Sequence, residues 1–267
     1  MLEIIVCGAA GRMGSTLVRL SQQSGDIKLA GAVEYGGSPD IGKDAGEIAG
    51  VGKLGVALTD QIEPLLRDNP VIIDFTQPKA SLGFLRAAVD KSAPMVLCTT
   101  GFSAPEVAEI EKLAPQTRVV FSANMSVGVN LLLSILGNVA KTLGDEYDVE
   151  IVETHHRFKK DAPSGTALAL GKVVARALDR DLDTVAVSGR KGIVGERTKK
   201  EIALLSVRSG DVVGDHTVIF GGLGERLEFT HRAHSRENFA RGALRAAQWI
   251  VNQPKGLYSM QDVLGLK

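Results

Sequence analysis

Of 267 residues only two are cysteines, Cys7 and Cys98, and each ends a short apolar run. A disulfide framework is thereby excluded, and both thiols are expected as reduced core residues in a cytoplasmic setting. Net charge is also missing: 31 Lys and Arg balance 31 Asp and Glu. Neither nucleic acid nor a membrane surface is therefore expected as the partner. No long hydrophobic run is present. The longest, residues 127–140, carries Asn130 and Asn138 and is too short to span a bilayer. Met1-Leu2-Glu3 does not resemble a signal-peptide start, and there are no repeats or low-complexity linkers. A hydrophobic content of 44% suffices for the core of one large or two modest domains.

The N-terminus carries a turn rich in glycine. Residues 2–7 form a short apolar run suited to a buried parallel strand, and GAAGRMG follows at once. After it, Leu17, Val18 and Leu20 mark a helix. Strand, glycine turn and helix in this order form the context of a dinucleotide fingerprint. Gly8 permits the tight turn, Gly11 lets the backbone approach a pyrophosphate, and Gly14 allows close helix–strand packing. The spacing is GxxGxxG, so the glycines need support. Glu34 supplies it: it ends the second strand, residues 28–33, twenty positions after Gly14. A carboxylate there can accept hydrogen bonds from adenosine ribose hydroxyls.

A second constellation lies at residues 153–166, ETHHRFKKDAPSGT. It joins an alternating apolar run (147–152) to a helical run (167–178), and Pro163 and Gly165 provide for the turn. The turn does not require His155, His156, Arg157, Lys159 and Lys160 beside it. Two histidines that titrate near neutrality, nearby lysines and a fresh helix N-terminus suit a site that binds and protonates a small anion. A solvated basic rim is the plainer alternative. A metal site is not expected, because adjacent residues in an extended chain face opposite ways and no Cys or carboxylate cluster completes a zinc set.

Strands at 71–75, 95–98 and 118–121 alternate with helices at 79–91 and 104–114, which predicts a parallel sheet with helices on both faces. Residues 35–55, rich in glycine, read as a long loop. The carboxyl ends of the strands gather 8–13, 34–35, 76–77, 99–100 and 122–125, where ligands of such sheets bind. Past Ser126 the pattern changes to a helix at 127–143, the basic junction, a helix at 167–178 and runs resembling antiparallel strands at 184–188, 201–207, 213–220 and 225–231. A last helix, 238–251, carries Trp249 as a core anchor and returns to the first lobe. The expected fold class is α/β: a doubly wound, Rossmann-like parallel sheet (1–126 and 236–267) plus an α+β substrate domain with a mixed or antiparallel sheet (127–235). The chain crosses twice between them, which predicts a hinge with the basic junction facing the nicotinamide.

The segment HHRFKKDAPSGTAL, with GAAGRMG, IDFTQP, CTTGF and FSANMSVGVN, resembles the bacterial dihydrodipicolinate reductases of the diaminopimelate–lysine pathway from end to end. The resemblance implies a dinucleotide-binding domain, a substrate and tetramerisation domain, a homotetramer, and reduction of a cyclic unsaturated imine dicarboxylate by NADH or NADPH. It implies His155 as the general acid–base residue and Lys159 as proton donor. Substrate contacts would come from His156, Ser164, Gly165 and Thr166. On the cofactor side it implies Gly8, Ala9, Ala10, Gly11, Arg12 and Met13 at the pyrophosphate, with Gly14 behind them, and Glu34 at the ribose. Cys98, Thr99, Thr100, Ser122, Ala123, Asn124 and Met125 would approach the nicotinamide.

Two departures from the family pattern carry consequences. Tyr35 stands where the family often has Arg, so it can stack on adenine but brings no charge for a 2′-phosphate, and Glu34 repels one. NADH is expected to be preferred over, or equal to, NADPH. Cys98 stands where glycine is usual, and its side chain could crowd the nicotinamide or be oxidised there. An amino-acid or semialdehyde dehydrogenase of similar layout, and a dinucleotide-sensing module without chemistry, are the competing readings. The first would show a catalytic Cys or an isolated Lys, and the second would leave the charged junction without a role.

Overall fold

The computed structural model describes residues 1–266. They separate into two compact units, one comprising Met1–Val127 with the segment from Arg236 onward, the other Gly128–Ser235.

The first unit is built on seven strands: β1 (Leu2–Cys7), β2 (Ile27–Val33), β3 (Leu58–Thr59), β4 (Val71–Asp74), β5 (Met95–Leu97), β6 (Arg118–Phe121) and β12 (Gly256–Tyr258). Their order is β12-β6-β5-β4-β1-β2-β3 and every pairing is parallel. The central strands β1, β4 and β5 are apolar almost throughout because both faces are covered, and Ile4, Ile5, Ile72, Ile73 and Val96 are fully buried. Each such side chain contributes ~1.5–3 kcal/mol relative to leaving it exposed. On one face lie α1 (Arg12–Gln23) and α8 (Glu237–Ile250); on the other, α3 (Pro78–Lys91) and α4 (Ala104–Leu113). Trp249 is half-buried and meets Tyr258 edge-on at 5.1 Å between centroids, so it anchors β12 rather than the centre of the core. A short α9 (Met260–Val263) closes the unit.

The stretch expected as a long loop, 35–55, contains the short helix α2 (Ala45–Ala49). Asp44 organises it, accepting backbone N–H bonds from Gly46, Glu47, Leu54, Gly55 and Val56. One carboxylate thus caps the helix and closes the turn after it.

The second unit is a five-stranded mixed sheet, β11-β10-β7-β9-β8, with β7 Asp148–His155, β8 Ala186–Val187, β9 Ile202–Arg208, β10 Gly214–Gly221 and β11 Arg226–Ala233. The expectation of four antiparallel runs holds only for β10 and β11. β9 runs parallel to both β7 and β8, because the chain leaves β7 through α6 (Gly165–Ala177) and α7 (Leu182–Val185) before re-entering the sheet. Such a crossover sets strand direction, which alternation of side chains does not encode. In the run expected as a strand at 184–188, residues 184 and 185 end α7 and only Ala186–Val187 form β8. Helix α5 (Val127–Leu143) packs Leu132, Leu136 and Ala140 against Val149, Ile151 and Val218 of the sheet. With the turn that follows, Val127–Glu146 is 20 residues with mean hydropathy 1.4, long and apolar enough by composition to cross a membrane. The shorter run 127–140 understated it. A core helix meets the same criterion; here 28% of the apolar window is buried, on the face that carries Leu136.

Candidate functional site

In the first unit the order of strands reverses between β1 and β4: β2 and β3 lie to one side of β1, β4 to β6 to the other. The crevice above the carboxyl ends at such a switch is where doubly wound sheets take ligands. A cavity of about 820 Å³ opens there, lined by Gly8, Gly11, Glu34, Tyr35, Phe75 and Thr76 among others.

Gly8 takes φ +74°, and the turn is pinned by Gly8 and Ala9 N–H groups donating to the Val33 carbonyl, at 2.8 and 3.1 Å. A Cβ on Gly14 would lie 2.1 Å from the Gly8 carbonyl oxygen, so α1 can approach β1 only with glycine at that position. Helix α1 begins after Gly11 with no side-chain cap and no acidic residue in its first turn. Its N-terminus is therefore open to an anion. Glu34 accepts the Ala10 N–H at 3.1 Å and the Tyr35 N–H at 3.1 Å. That arrangement fixes the carboxylate beside the glycine turn at the cavity wall. Tyr35 is 66% exposed at the rim. These residues fit a pyrophosphate at the turn and a ribose at the acid.

Thr99 is buried and Thr100 exposed. The Cys98 side chain lies in the core with Val96, Val120 and Met125, and burial pushes its thiol well up, followed by the charge of Asp74. A thiol so disfavoured as thiolate is a poor target for oxidation, contrary to the expectation of a reactive or crowding side chain. Ser122 Oγ donates to the Asn124 carbonyl at 3.2 Å, and Asn124 Oδ1 accepts the Ser126 N–H at 2.8 Å, which holds the 122–126 turn. Ala123 is exposed, whereas Met125 is buried beneath α8.

Sequence reading passed over Asp74. It is fully buried at the end of β4 and accepts the Thr76 N–H (3.0 Å), the Thr76 hydroxyl (2.6 Å) and the Thr99 hydroxyl (3.2 Å). Burial raises its carboxyl, opposed by the donors Ser81, Thr76 and Thr99. It ties the IDFTQP and CTTGF loops to one point.

In the second unit β7 delivers Glu153 and His155 to the same face, while His156, the next residue, begins the turn. His155 is 9% exposed and its Nδ1 lies 2.5 Å from Glu153 Oε2. Arg208 of β9 clasps Glu153 with two hydrogen bonds of 2.9 Å, and the Ser164 N–H reaches the same carboxylate at 3.2 Å. Burial pushes His155 down, and the Glu153 carboxylate opposes this. For Glu153 burial favours the neutral acid, but the Arg208 and His155 hydrogen bonds win and hold it at about 2. Glu153 is thus an anion at neutral pH and can only accept.

Ser164 caps α6, its hydroxyl accepting the Ala167 N–H at 3.2 Å, and the same oxygen is hydrogen-bonded to His216 Nε2 at 3.0 Å. Gly165 and Thr166 are the first helical residues, so their N–H groups project from the helix start. The Ala162–Pro163 peptide before them is cis. Lys159 Nζ pairs with Asp161 at 2.9 Å. Asp161 is 63% exposed, and a pair of this kind contributes only ~0–1 kcal/mol, so an incoming carboxylate can displace it. His216 stacks edge-on with His155 at 5.1 Å. Burial, with the neighbouring His155, pushes it down to about 4, so it is neutral. Among the described residues its buried Nδ1 has no partner, nor has that of His156.

The structure thus assembles His155, Lys159, Ser164, Gly165 and Thr166 around one helix start. Sequence reading missed Glu153, Arg208 and His216. Glu153 had a signal, lying two residues before His155 in an alternating strand. Arg208 and His216 reach the site only through sheet register, His155 opposite Arg208 and Glu153 opposite His216.

The family descriptions "Dihydrodipicolinate reductase, N-terminus" and "Dihydrodipicolinate reductase, C-terminus" match residues 2–125 and 128–264. The chain belongs to the dihydrodipicolinate reductase family. Curated members named 4-hydroxy-tetrahydrodipicolinate reductase are 52% identical in Syntrophus aciditrophicus and 53% identical in Geobacter sulfurreducens, over 100% of both chains in each case. Among solved structures, a dipicolinate-bound dihydrodipicolinate reductase from Paenisporosarcina sp. TG-14 shares the fold at TM-score 0.76 and 21% identity, covering 98% of each chain. A myo-inositol dehydrogenase from Corynebacterium glutamicum matches at TM-score 0.58 and 16% identity, covering 100% of this chain and 93% of its own.

Proposed function

We propose that the protein is a 4-hydroxy-tetrahydrodipicolinate reductase, converting this cyclic imine dicarboxylate (or its dehydrated form, dihydrodipicolinate) to tetrahydrodipicolinate in diaminopimelate–lysine biosynthesis. The observation that carries the reading is the junction of the second unit, where a buried histidine, a lysine and the start of α6 surround one point. The Gly8–Gly11 turn lets the dinucleotide pyrophosphate approach the N–H groups of Arg12 and Met13 at the start of α1, Glu34 holds the ribose, and the 98–100 and 122–125 loops the nicotinamide end. When bound, the reduced nicotinamide supplies a hydride. Lys159 and the N–H groups of Gly165 and Thr166 at the start of α6 grip a substrate carboxylate, with Ser164 and His156 beside them, and leave the ring in one pose. His155 gives a proton as charge develops on the reacting system, a step worth about 10²–10⁴-fold. The active form is a cytoplasmic homotetramer, by analogy with the family.

NADH serves at least as well as NADPH, because Glu34 repels a 2′-phosphate and Tyr35 offers no cation to offset it. The test is reduced-nicotinamide consumption with substrate generated in place from pyruvate and aspartate semialdehyde by a coupling synthase, with each cofactor in turn. Turnover with a kcat/KM for NADH equal to or above that for NADPH supports the reading. A large NADPH preference overturns the assignment of Tyr35. Binding of NADH without turnover overturns the substrate and favours a dehydrogenase of the same fold.

A further inference from the structure

Glu153 is a buried charge held from several sides. It is fully buried, yet it contacts three separate elements: His155 on its own strand, Arg208 on β9 and the Ser164 N–H at the start of α6. Arg208 extends the linkage, donating Nη2 to the Asp161 carbonyl at 2.7 Å, so the turn that carries Lys159 and Asp161 hangs from the same guanidinium. Strand geometry explains the grouping. Residues two apart share a face of β7, and parallel pairing sets Arg208 beside His155.

A purely structural ion pair would need no histidine. Apolar residues replace such pairs at little loss, or with a gain. The other ring nitrogen is also provided for. A Cβ at Gly214, on the neighbouring strand β10, would lie 2.9 Å from His155 Nε2. Glycine there keeps a methyl group off that nitrogen. One nitrogen is held and the other is kept clear.

We propose that Glu153 and Arg208 are positioning residues for His155. The carboxylate, fixed by the bidentate guanidinium and the Ser164 N–H, holds the imidazole by Nδ1–H in one orientation and one tautomer. Nε2 is then the nitrogen that exchanges a proton with substrate. In the step, the Nε2–H bond of the protonated ring breaks, the proton goes to the substrate atom that takes up charge, and the electron pair stays on Nε2. The ring is left neutral with Nδ1–H still on Glu153, and solvent restores the proton. The proposal rests on the reading of His155 as the acid–base residue.

The charged and titratable groups facing His155 are Glu153 on β7, Lys159 and its partner Asp161 in the following turn, Arg208 on β9 and His216 on β10, with His231 of β11 opposite His216. Removing the anion and removing the cation therefore have opposite signs. The experiment is a histidine-ring NMR titration of the full-length protein, with the His155 signal assigned by its loss in His155→Gln, beside pH profiles of kcat/KM. Glu153→Gln should move the His155 midpoint to lower pH and cut kcat roughly 10–100-fold, by analogy with the loss of the carboxylate that orients a metal-bound histidine, while KM for NADH stays put. Arg208→Gln should move the midpoint to higher pH, and Arg208→Lys should restore part of the turnover. Gly214→Ala leaves the clamp intact and should cut kcat by placing a methyl group on Nε2, which keeps the test open if Glu153→Gln does not fold. An unmoved midpoint in a folded Glu153→Gln protein, or full turnover in Gly214→Ala, overturns the proposal. A moved midpoint with full turnover overturns instead the role of His155, and with it the use of the clamp.

Discussion

The glycine turn of the first unit and the junction of the second are built in opposite ways. The turn works by backbone: N–H groups at the head of α1, a left-handed Gly8, and a Gly14 with no room for a side chain. Among the described residues, Glu34 is the charged side chain that joins the hydrogen bonds of the turn. The junction works by side chains: a buried carboxylate, a guanidinium from another strand, two stacked imidazoles and a lysine. Binding a constant group such as a pyrophosphate needs only fixed donors, whereas moving a proton needs a group whose charge is set by its neighbours. The comparison predicts that damage to the turn is steric and affects cofactor binding. Damage to the junction is electrostatic and affects turnover.

The largest effect should come from Gly14→Val. The added Cβ meets the Gly8 carbonyl at 2.1 Å, and overpacking of this kind costs ~1–3 kcal/mol or more. NADH fluorescence enhancement should vanish. Retained enhancement would mean that the turn does not hold the cofactor. His155→Gln should lower kcat by about 10²–10⁴-fold with NADH affinity little changed, and unaltered turnover would remove it from the mechanism.

The third effect is one of stability. His216 is held at about 4 against an ordinary 6.5, so the unfolded chain binds the extra proton between those values. Stability must then fall as pH drops from about 6.5 towards 4, by at most ~3.5 kcal/mol at about 1.4 kcal/mol per pH unit. Glu153, held at about 2, adds a loss of the same sign below about pH 4.3. Thermal melts across this window should show the fall, and His216→Phe should flatten its upper part; an unchanged slope would contradict the buried neutral state.

Lys159→Ala should reduce kcat and raise KM for substrate together. A hydrogen bond to a charged group contributes ~1.5–3 kcal/mol, or about 10–100-fold in kcat/KM; a change in kcat alone would confine Lys159 to proton delivery. Tyr35→Arg is the mildest. It should raise kcat/KM for NADPH relative to NADH by about tenfold, equivalent to ~1.4 kcal/mol, and no change would place the 2′-phosphate elsewhere.

The two constructions also differ in how far the sequence discloses them. Backbone devices leave local marks: GAAGRMG after an apolar run, and Glu34 at the next strand end, stand within one stretch of chain. The parallel order of β1, β2, β4, β5 and β6 follows from strand–helix alternation. Side-chain networks draw on distant positions. His155 and Lys159 are visible in one segment, but Arg208 and His216 join them only through the register of β9 and β10. That register depends on a crossover which makes β9 parallel and which alternation does not reveal. Helix α2 escaped because a glycine-rich stretch looks like a loop until Asp44 is seen to gather five N–H groups. Asp44 with Glu47 three residues on was the available sign.

The division of labour is tested most directly by measuring NADH binding and imine reduction side by side in Gly14→Val and His155→Gln. The account predicts a double dissociation: no NADH binding in the first, full NADH binding with turnover lost in the second. NADH binding lost in His155→Gln, or turnover kept in either protein, would contradict it.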